Sequence, residues 1–389
     1  MQATLKRYRW VMATIFLCCS ALTSCVEPIV PTPEQEVEQM LRKMTTREKV
    51  GQLFFVRPEA LDTTLHWNEY GELMPVELRA VNKNMKILNV KYPVGGVILF
   101  GWNIHTERQL KMFVSEIKAL NGKPLLCVDE EGGRVARIAN NPNFPVKKYE
   151  SMAAIGATGN PANAYECGNT IGTYLREYGF DIDFAPVADV NTNPENIVIG
   201  NRAFSDDPTV AAPMVVNYLQ GLKDAGIVGC IKHYPGHGDV KTDTHYGYAQ
   251  TMKTWPEMLD CEIIPFRAGI NWGCQLVMTA HISAPNVTGN DAPSTMSAFM
   301  LQDKLRRELG YQNIIATDAM DMGAITKQFT VEEATVGCLL AGADIVLCPQ
   351  DFIKAFEAVV TAVEKGTFSQ ERLNQSVRRI LLLKKQLYP

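Results

Sequence analysis

The sequence predicts an α/β fold, a single (β/α)8 barrel of the TIM type with an N-terminal helix and a C-terminal closing helix. Three observations predict it. Short runs rich in Val, Ile and Leu recur from residue 51 onward, at 51–55, 96–100, 125–129, 183–187, 229–232, 276–280, 314–317 and 345–348. Helical periodicity falls between them, at 106–120, 162–178, 209–225, 297–309, 331–341 and 351–365. Polar residues follow most of the apolar runs. Runs this short and this uniformly apolar suit parallel strands covered on both faces. Eight of them alternating with helices close into a barrel, whose chemistry sits at the C-terminal mouth. The alternative, an open doubly wound sheet, would bind its ligand beside a glycine-rich turn. Gly132-Gly133 follows one run, but no G-x-G-x-x-G occurs.

Residues 1–25 stand apart from this body. Lys6, Arg7 and Arg9 precede the mostly apolar stretch Val11 to Leu22, which is too short for a comfortable bilayer span and has the form of an export signal. It ends at Leu22-Thr23-Ser24-Cys25, which resembles the lipobox of bacterial lipoproteins. That resemblance makes Cys25 the lipidated first residue of an exported, membrane-anchored chain. Val26 rather than aspartate after it suggests outer-membrane sorting if the cell is Gram-negative. Residues 26–36, with Pro28, Pro31 and Pro33, are expected to form an extended tether, and 37–389 the barrel domain. A helix at 34–44 precedes the first strand. Residues 57–90 form a long first crossover of weak pattern. Helix 370–387 sets Leu373, Val377, Ile380 and Leu381 on one face and is expected to pack on the barrel exterior.

Composition narrows the partners. The net charge is −4 and no long basic run occurs, which argues against nucleic acid. Seven cysteines follow Cys25 with no C-x-x-C pair, and Cys127, Cys230 and Cys348 lie in apolar runs. They are expected to be buried thiols rather than disulfides or metal ligands.

Chemistry gathers where the apolar runs end. Asp129 and Glu131 follow the third, Asp189 and Asn191 the fourth with Arg202 beyond, Lys232 and His233 the fifth, His281 the sixth and Asp318 the seventh. The densest stretch is KHYPGHGDVKTDTH, residues 232–245, with three of the six histidines. Carboxylates, lysine, arginine and imidazole around one mouth suit a polyhydroxylated ligand, because charge-assisted hydrogen bonds to hydroxyls are strong and directional. Asp318, with Asp321 as second choice, is a candidate nucleophile for an anomeric carbon. The Asp243-Thr244-His245 spacing lets an aspartate support an imidazole that serves as acid and then base. His233 and His237 have a zinc-like spacing, but Pro235 and two glycines forbid the helix that would align them. No metal or cofactor is expected. Trp102 either stacks on a sugar or covers the mouth.

KHYPGHG followed by DTH, with DEEGGRVAR upstream and TDAMDMGA downstream, resembles the glycoside hydrolase family 3 β-N-acetylglucosaminidases of the NagZ type. The resemblance runs through nearly the whole chain after the leader. It implies a retaining mechanism through a glycosyl-enzyme, with Asp318 as nucleophile and Asp243 and His245 as the acid/base dyad on a mobile loop. It implies sugar binding by Asp129, Arg137, Arg202, Lys232 and His233. Tyr234, Thr244 and Glu130 depart from the residues usual there, and none removes a needed group. Larger relatives carry a second domain that supplies a carboxylate acid; here the acid is expected from the barrel's own loops. The implied activity is exo-β-N-acetylhexosaminidase, releasing terminal GlcNAc from peptidoglycan-derived or other β-linked glycans. A β-N-acetylglucosaminide phosphorylase and a non-catalytic sugar-binding lipoprotein are the rival readings.

Overall fold

The computed structural model describes residues 31–62, 64–67, 73–75, 77–241, 247 and 249–388. The expected leader 1–25 with Cys25, and the dyad residues Asp243 and His245, lie outside the described residues.

Eight parallel strands form the barrel wall. They are β1 (Phe54–Val56), β2 (Gly96–Leu99), β3 (Leu125–Val128), β4 (Ile182–Asp183), β5 (Val228–Tyr234), β6 (Leu276–Thr279), β7 (Ile314–Thr317) and β8 (Val346–Leu347). The hydrogen-bonded order is β7-β6-β5-β4-β3-β2-β1-β8. A parallel bridge between Ala316 and Ile345 brings β7 against β8, and the Thr317 hydroxyl accepts from the Leu347 amide at 3.0 Å. The strands are buried on both faces, as their uniform apolarity requires.

Each expected run holds a strand, with two shifts. The first was expected at 51–55, but Thr46–Gln52 is helical and the strand starts at Phe54. Thr45 and Glu48 form a reciprocal capping box that holds this helix. Gly51, inside it, lies so close to the next crossover that an added Cβ would stand 2.3 Å from the Pro93 carbonyl oxygen. The fourth run was expected at 183–187, but β4 pairs only at Ile182–Asp183 and touches β5 again through Val187. Pro186 has no amide to donate to a ladder.

The expected helices appear within two residues of their bounds, capped by Thr106, Asn160, Asp207, Thr330 and Asp351. The segment 299–308 is also helical, though its end closes on an i→i−5 bond from Leu309 to Lys304. Residues 33–36, expected in the tether, are helical instead. Thr32 caps a helix that begins at Pro33, where a missing amide costs nothing. The crossover at 57–90 holds a helical turn (Pro58–Leu61), an antiparallel pair (Leu65–Trp67 with Leu73–Pro75) and a helix (Lys83–Lys91). All seven described cysteines are free thiols, six of them buried.

The closing helix, Gln370–Leu387, does not lie on the barrel exterior as expected. It crosses the floor. Arg372 donates to the Ala343 carbonyl before β8, and Arg379 to the Gln312 carbonyl before β7. Lys384 reaches Gln52 before β1 and the Gly122 carbonyl before β3. Tyr388 reaches Asp181 before β4. The apolar face of this helix is as expected, and its long basic side chains carry it across the N-terminal strand ends.

Candidate active site

The mouth is built from strand ends. After β3, Asp129 and Glu131 face inward. Glu130 between them turns outward, as alternation requires. Its carboxylate accepts from the amides of Arg137, Ile138 and Ala139 at 2.6–2.8 Å and from the Tyr174 hydroxyl at 2.8 Å. Glu130 therefore pins the hairpin of Glu130–Gly132 and Val135–Ala136 that presents Arg137. Burial pushes its carboxyl up, against the pull of those donors.

Lys232, at the end of β5, stands between both inward carboxylates, 2.8 Å from Asp129 and 2.6 Å from Glu131. Arg202 grips Glu131 with two parallel bonds, at 2.8 and 2.7 Å. Arg137 approaches Asp129 at 3.5 Å. Burial would raise the Glu131 carboxyl, but Arg202 and Lys232 overcome it and hold it well below the ordinary range. Burial would lower Lys232 and Arg202, and the carboxylates raise both instead. Glu131, Lys232 and Arg202 are therefore ionised at neutral pH.

His233 is oriented from behind. Its Nδ1 lies 2.7 Å from Asp189, a carboxylate with no exposure, and its Nε2 lies 3.4 Å from Arg202. Asp189 also accepts from the amides of His233 and His237. Burial works to raise the Asp189 carboxyl, but His233 and His237 hold it down. An ionised Asp189 accepts a hydrogen bond from Nδ1–H and so turns Nε2 toward the mouth.

Asp318 follows β7. Its amide bonds the Thr279 carbonyl, and its Oδ1 accepts from the Ala319 amide at 2.7 Å. The side chain stays partly exposed. Burial would raise its carboxyl, but the His233 and His281 imidazoles, the Ala319 amide and Lys232 lower it. Asp321, the second choice for nucleophile, is ion-paired with Arg57. Among the described residues no ion pair holds Asp318, whereas Asp321 is tied to Arg57.

Asp129, Arg137, Arg202, Lys232, His233 and Asp318 line one cavity of about 230 Å3, together with Glu131, Arg57 and Asp321. The segment that carries Asp243 and His245 is rooted at this cavity. On one side His237 lines it. Gly238 then packs so tightly that a Cβ would stand 1.8 Å from the Val190 carbonyl oxygen. On the other side Ala249 pairs with Ile282 just beyond β6.

Three residues received no role from sequence reasoning. Glu131 and Asp189 were visible as strand-end carboxylates, but their partners come from other strands. Arg57 was missed because β1 was set too early; placed at 54–56, it puts Arg57 at the strand end. His281 bridges the Thr295 hydroxyl and the Ala319 carbonyl, which steadies the backbone after Asp318. Trp102 stacks on Phe100 at 4.7 Å and bonds Glu59, outside the lining of the cavity.

The family model described as "Glycosyl hydrolase family 3 N terminal domain" matches residues 45–383. The chain belongs to glycosyl hydrolase family 3. It is 34% identical over 271 residues to a β-hexosaminidase of Xanthomonas campestris pv. campestris, covering 68% of this chain and 81% of the relative. It is 33% identical over 323 residues to β-hexosaminidase A of Pseudoalteromonas piscicida, covering 76% of this chain and 54% of that relative. A family 3 β-N-acetylglucosaminidase from Paenibacillus sp. str. FPU-7 shares the fold with a TM-score of 0.80 and 32% identity over 88% of this chain. The chain thus spans about half of the Pseudoalteromonas relative and 63% of the Paenibacillus one. This family 3 barrel carries the mouth cluster within the matched region.

Proposed function

We propose that the protein is an exo-acting, retaining β-N-acetylhexosaminidase that releases terminal GlcNAc. The observation that carries this reading is Asp318, free of ion pairing among the described residues, in one cavity with Asp129, Arg137, Arg202, Lys232 and His233. Fixed charged groups on one wall suit the hydroxyls of a single sugar. The β-hexosaminidases among the relatives support the N-acetylated substrate.

In the proposed cycle an Asp318 oxygen attacks the anomeric carbon while His245 gives its proton to the departing glycosidic oxygen. The glycosyl-aspartate is then hydrolysed by water, whose proton returns to His245. Asp243 supports the imidazolium, and Asp318 leaves as carboxylate. A 2-fluoro glycoside should trap the intermediate. Mass spectrometry should find the adduct on the peptide holding Asp318, and an adduct on Asp321 would overturn the assignment. The first-formed anomer by NMR should be β. Measuring sugar 1-phosphate in phosphate buffer separates hydrolysis from phosphorolysis.

Peptidoglycan fragments ending in GlcNAc are the natural substrate we favour, on the resemblance of the motifs. Export and lipid anchoring through Cys25 complete the reading. Cys25→Ala should move the expressed protein out of the membrane fraction, and unchanged membrane retention would refute the anchor.

A further inference from the structure

Once the hydroxyl-binding wall, with Glu131 behind it, and the nucleophile are assigned, the polar lining residues left over are His237, where the chain leaves the cavity, and the pair Arg57 and Asp321. The wall formed by Asp129, Arg137, Arg202, Lys232 and His233 comes from β3 to β5 and their loops. Asp318 comes from β7 and must face C1. The opposite wall, from β1, β2, β8 and the turn after Asp318, holds Arg57 and Asp321 among Ile98, Phe100, Met322 and Leu347. Arg57 and Asp321 are paired to each other. The Arg57 guanidinium stands over the Phe100 ring at 5.2 Å, and Arg137 stands over the same ring at 5.5 Å.

The pairing does not exhaust either partner. The Nε of Arg57 is buried without an acceptor among the described residues, as is that of Arg137. Buried donors in native proteins are satisfied as a rule, so an orphan at a ligand cavity points to a ligand oxygen. A carboxylate offers about four acceptor sites, so one arginine leaves capacity on Asp321. A donor and an acceptor side by side match an amide, whose carbonyl accepts and whose N–H donates. The neighbouring Phe100, Met322 and Leu347 suit a methyl group.

A terminal hexosamine has one substituent of this kind, the acetamido group on C2. C2 adjoins C1, and Asp321 lies three residues beyond Asp318. We infer that Arg57 and Asp321 form the site that recognises the 2-acetamido group, and so set the preference for N-acetylhexosamine over hexose. The inference rests on the glycosidase reading for its orientation of the sugar. A larger groove, about 730 Å3, is also lined by the same ion pair. The rival occupant of this wall is therefore a leaving group entering from that groove.

The test compares 4-nitrophenyl β-GlcNAc with 4-nitrophenyl β-glucoside in wild type, Arg57→Ala and Asp321→Asn. A lost bond to a charged group is worth about 1.5–3 kcal/mol, roughly a 10- to 100-fold change. The kcat/KM for the GlcNAc glycoside should fall by that factor in Arg57→Ala, while the glucoside changes by less than about 3-fold. Equal falls on both substrates, or a preserved preference, would overturn the inference. An Arg57→Ala effect that tracks the leaving group rather than the C2 substituent would assign the wall to the leaving group. Arg57→Met with Asp321→Leu removes both charges together, and serves if the single variants melt early. Calorimetric binding of free GlcNAc and glucose needs no turnover. Preference for GlcNAc that disappears in Arg57→Ala supports the site even if the enzyme proves not to be a hydrolase, and equal wild-type binding of the two sugars sinks it.

Discussion

At the floor of the barrel Asp344 meets Arg306, Arg372, Arg379 and Ser376; at the mouth Asp129 and Glu131 meet Lys232, Arg202 and Arg137. Asp344 and Glu131 are both buried carboxylates held by basic side chains. At the floor, one Asp344 oxygen accepts from Arg306 at 2.6 Å and from the Ile315 amide at 3.0 Å. The other accepts from Arg379 at 3.0 Å and Ser376 at 2.5 Å, with Arg372 at 3.4 Å. Further arginine donors go to the carbonyls of Tyr311, Asn313, Ala343 and Gln312. The floor cluster ties the closing helix to β7 and β8. At the mouth, among the described residues, Arg137 keeps an unanswered Nε, and Asp318 lines the cavity with a single amide on one oxygen. Saturated charge holds a fold together, whereas charge left short of partners is held ready for a ligand.

The sharpest way to break this contrast is at Asp318. Asp318→Ala should lower turnover of an aryl β-N-acetylglucosaminide on the order of 10^4-fold or more, with the melting temperature kept. Activity near wild type would remove the mouth from the chemistry altogether. The floor should answer in the opposite sense. Asp344→Asn leaves three arginines around a neutral amide and should cost about 3–5 kcal/mol of stability by denaturant titration. Its kcat/KM, measured well below the melting point, should stay within about 2-fold of wild type. A floor variant that lost activity while fully folded would erase the distinction.

Asp189 lies between the two cases, since it is buried and saturated yet serves the site through His233. Asp189→Asn should lower kcat/KM about 10- to 100-fold, from loss of a charge-assisted bond of about 1.5–3 kcal/mol. The loss should carry a shifted pH profile, because an amide no longer fixes the Nδ1 proton. A fall in stability with an unchanged pH profile would make Asp189 purely structural.

The smallest effect is in acid. Burial pushes the Asp344 carboxyl up, but Arg306, Arg379 and Arg372 pull it below its ordinary value. A folded pKa below the unfolded one, about 3.9, means that the unfolded chain binds more protons there. Stability is therefore full above about pH 4 and is lost as pH falls toward the depressed value. Asp189, Glu131 and Asp318 are shifted the same way. Melts between about pH 3 and 6 should steepen below about pH 4. Asp344→Asn should flatten that slope, and an unchanged slope would show that the floor cluster does not titrate as argued.

The barrel was legible because burial on both faces leaves β5 to β8 as short apolar runs, and because caps such as Asp207 and Thr330 are local. Arg57 was not legible, because a helix of about two turns at 46–52 displaced the strand start. The course of the closing helix was hidden as well. Its apolar stripe showed which face is buried but not which surface covers it. That depended on Arg372, Arg379 and Lys384 meeting partners at Ala343, Gln312 and Gly122. Glu130 and Glu131 are neighbours with opposite duties, which alternation suggested and only their partners decided.

By itself the sequence determined the order of strands and helices, the position of Asp318 at a strand end and the family motifs, since period, caps and short spacings act between near neighbours. Only the tertiary structure decided which charges are spent on one another. Lys232 joins Asp129 and Glu131 from 103 and 101 residues away, counted as 232 − 129 and 232 − 131, and Asp321 joins Arg57 although most of the sequence lies between them. Closure of the wall makes such residues neighbours, and Coulomb attraction falls with distance through space rather than along the chain.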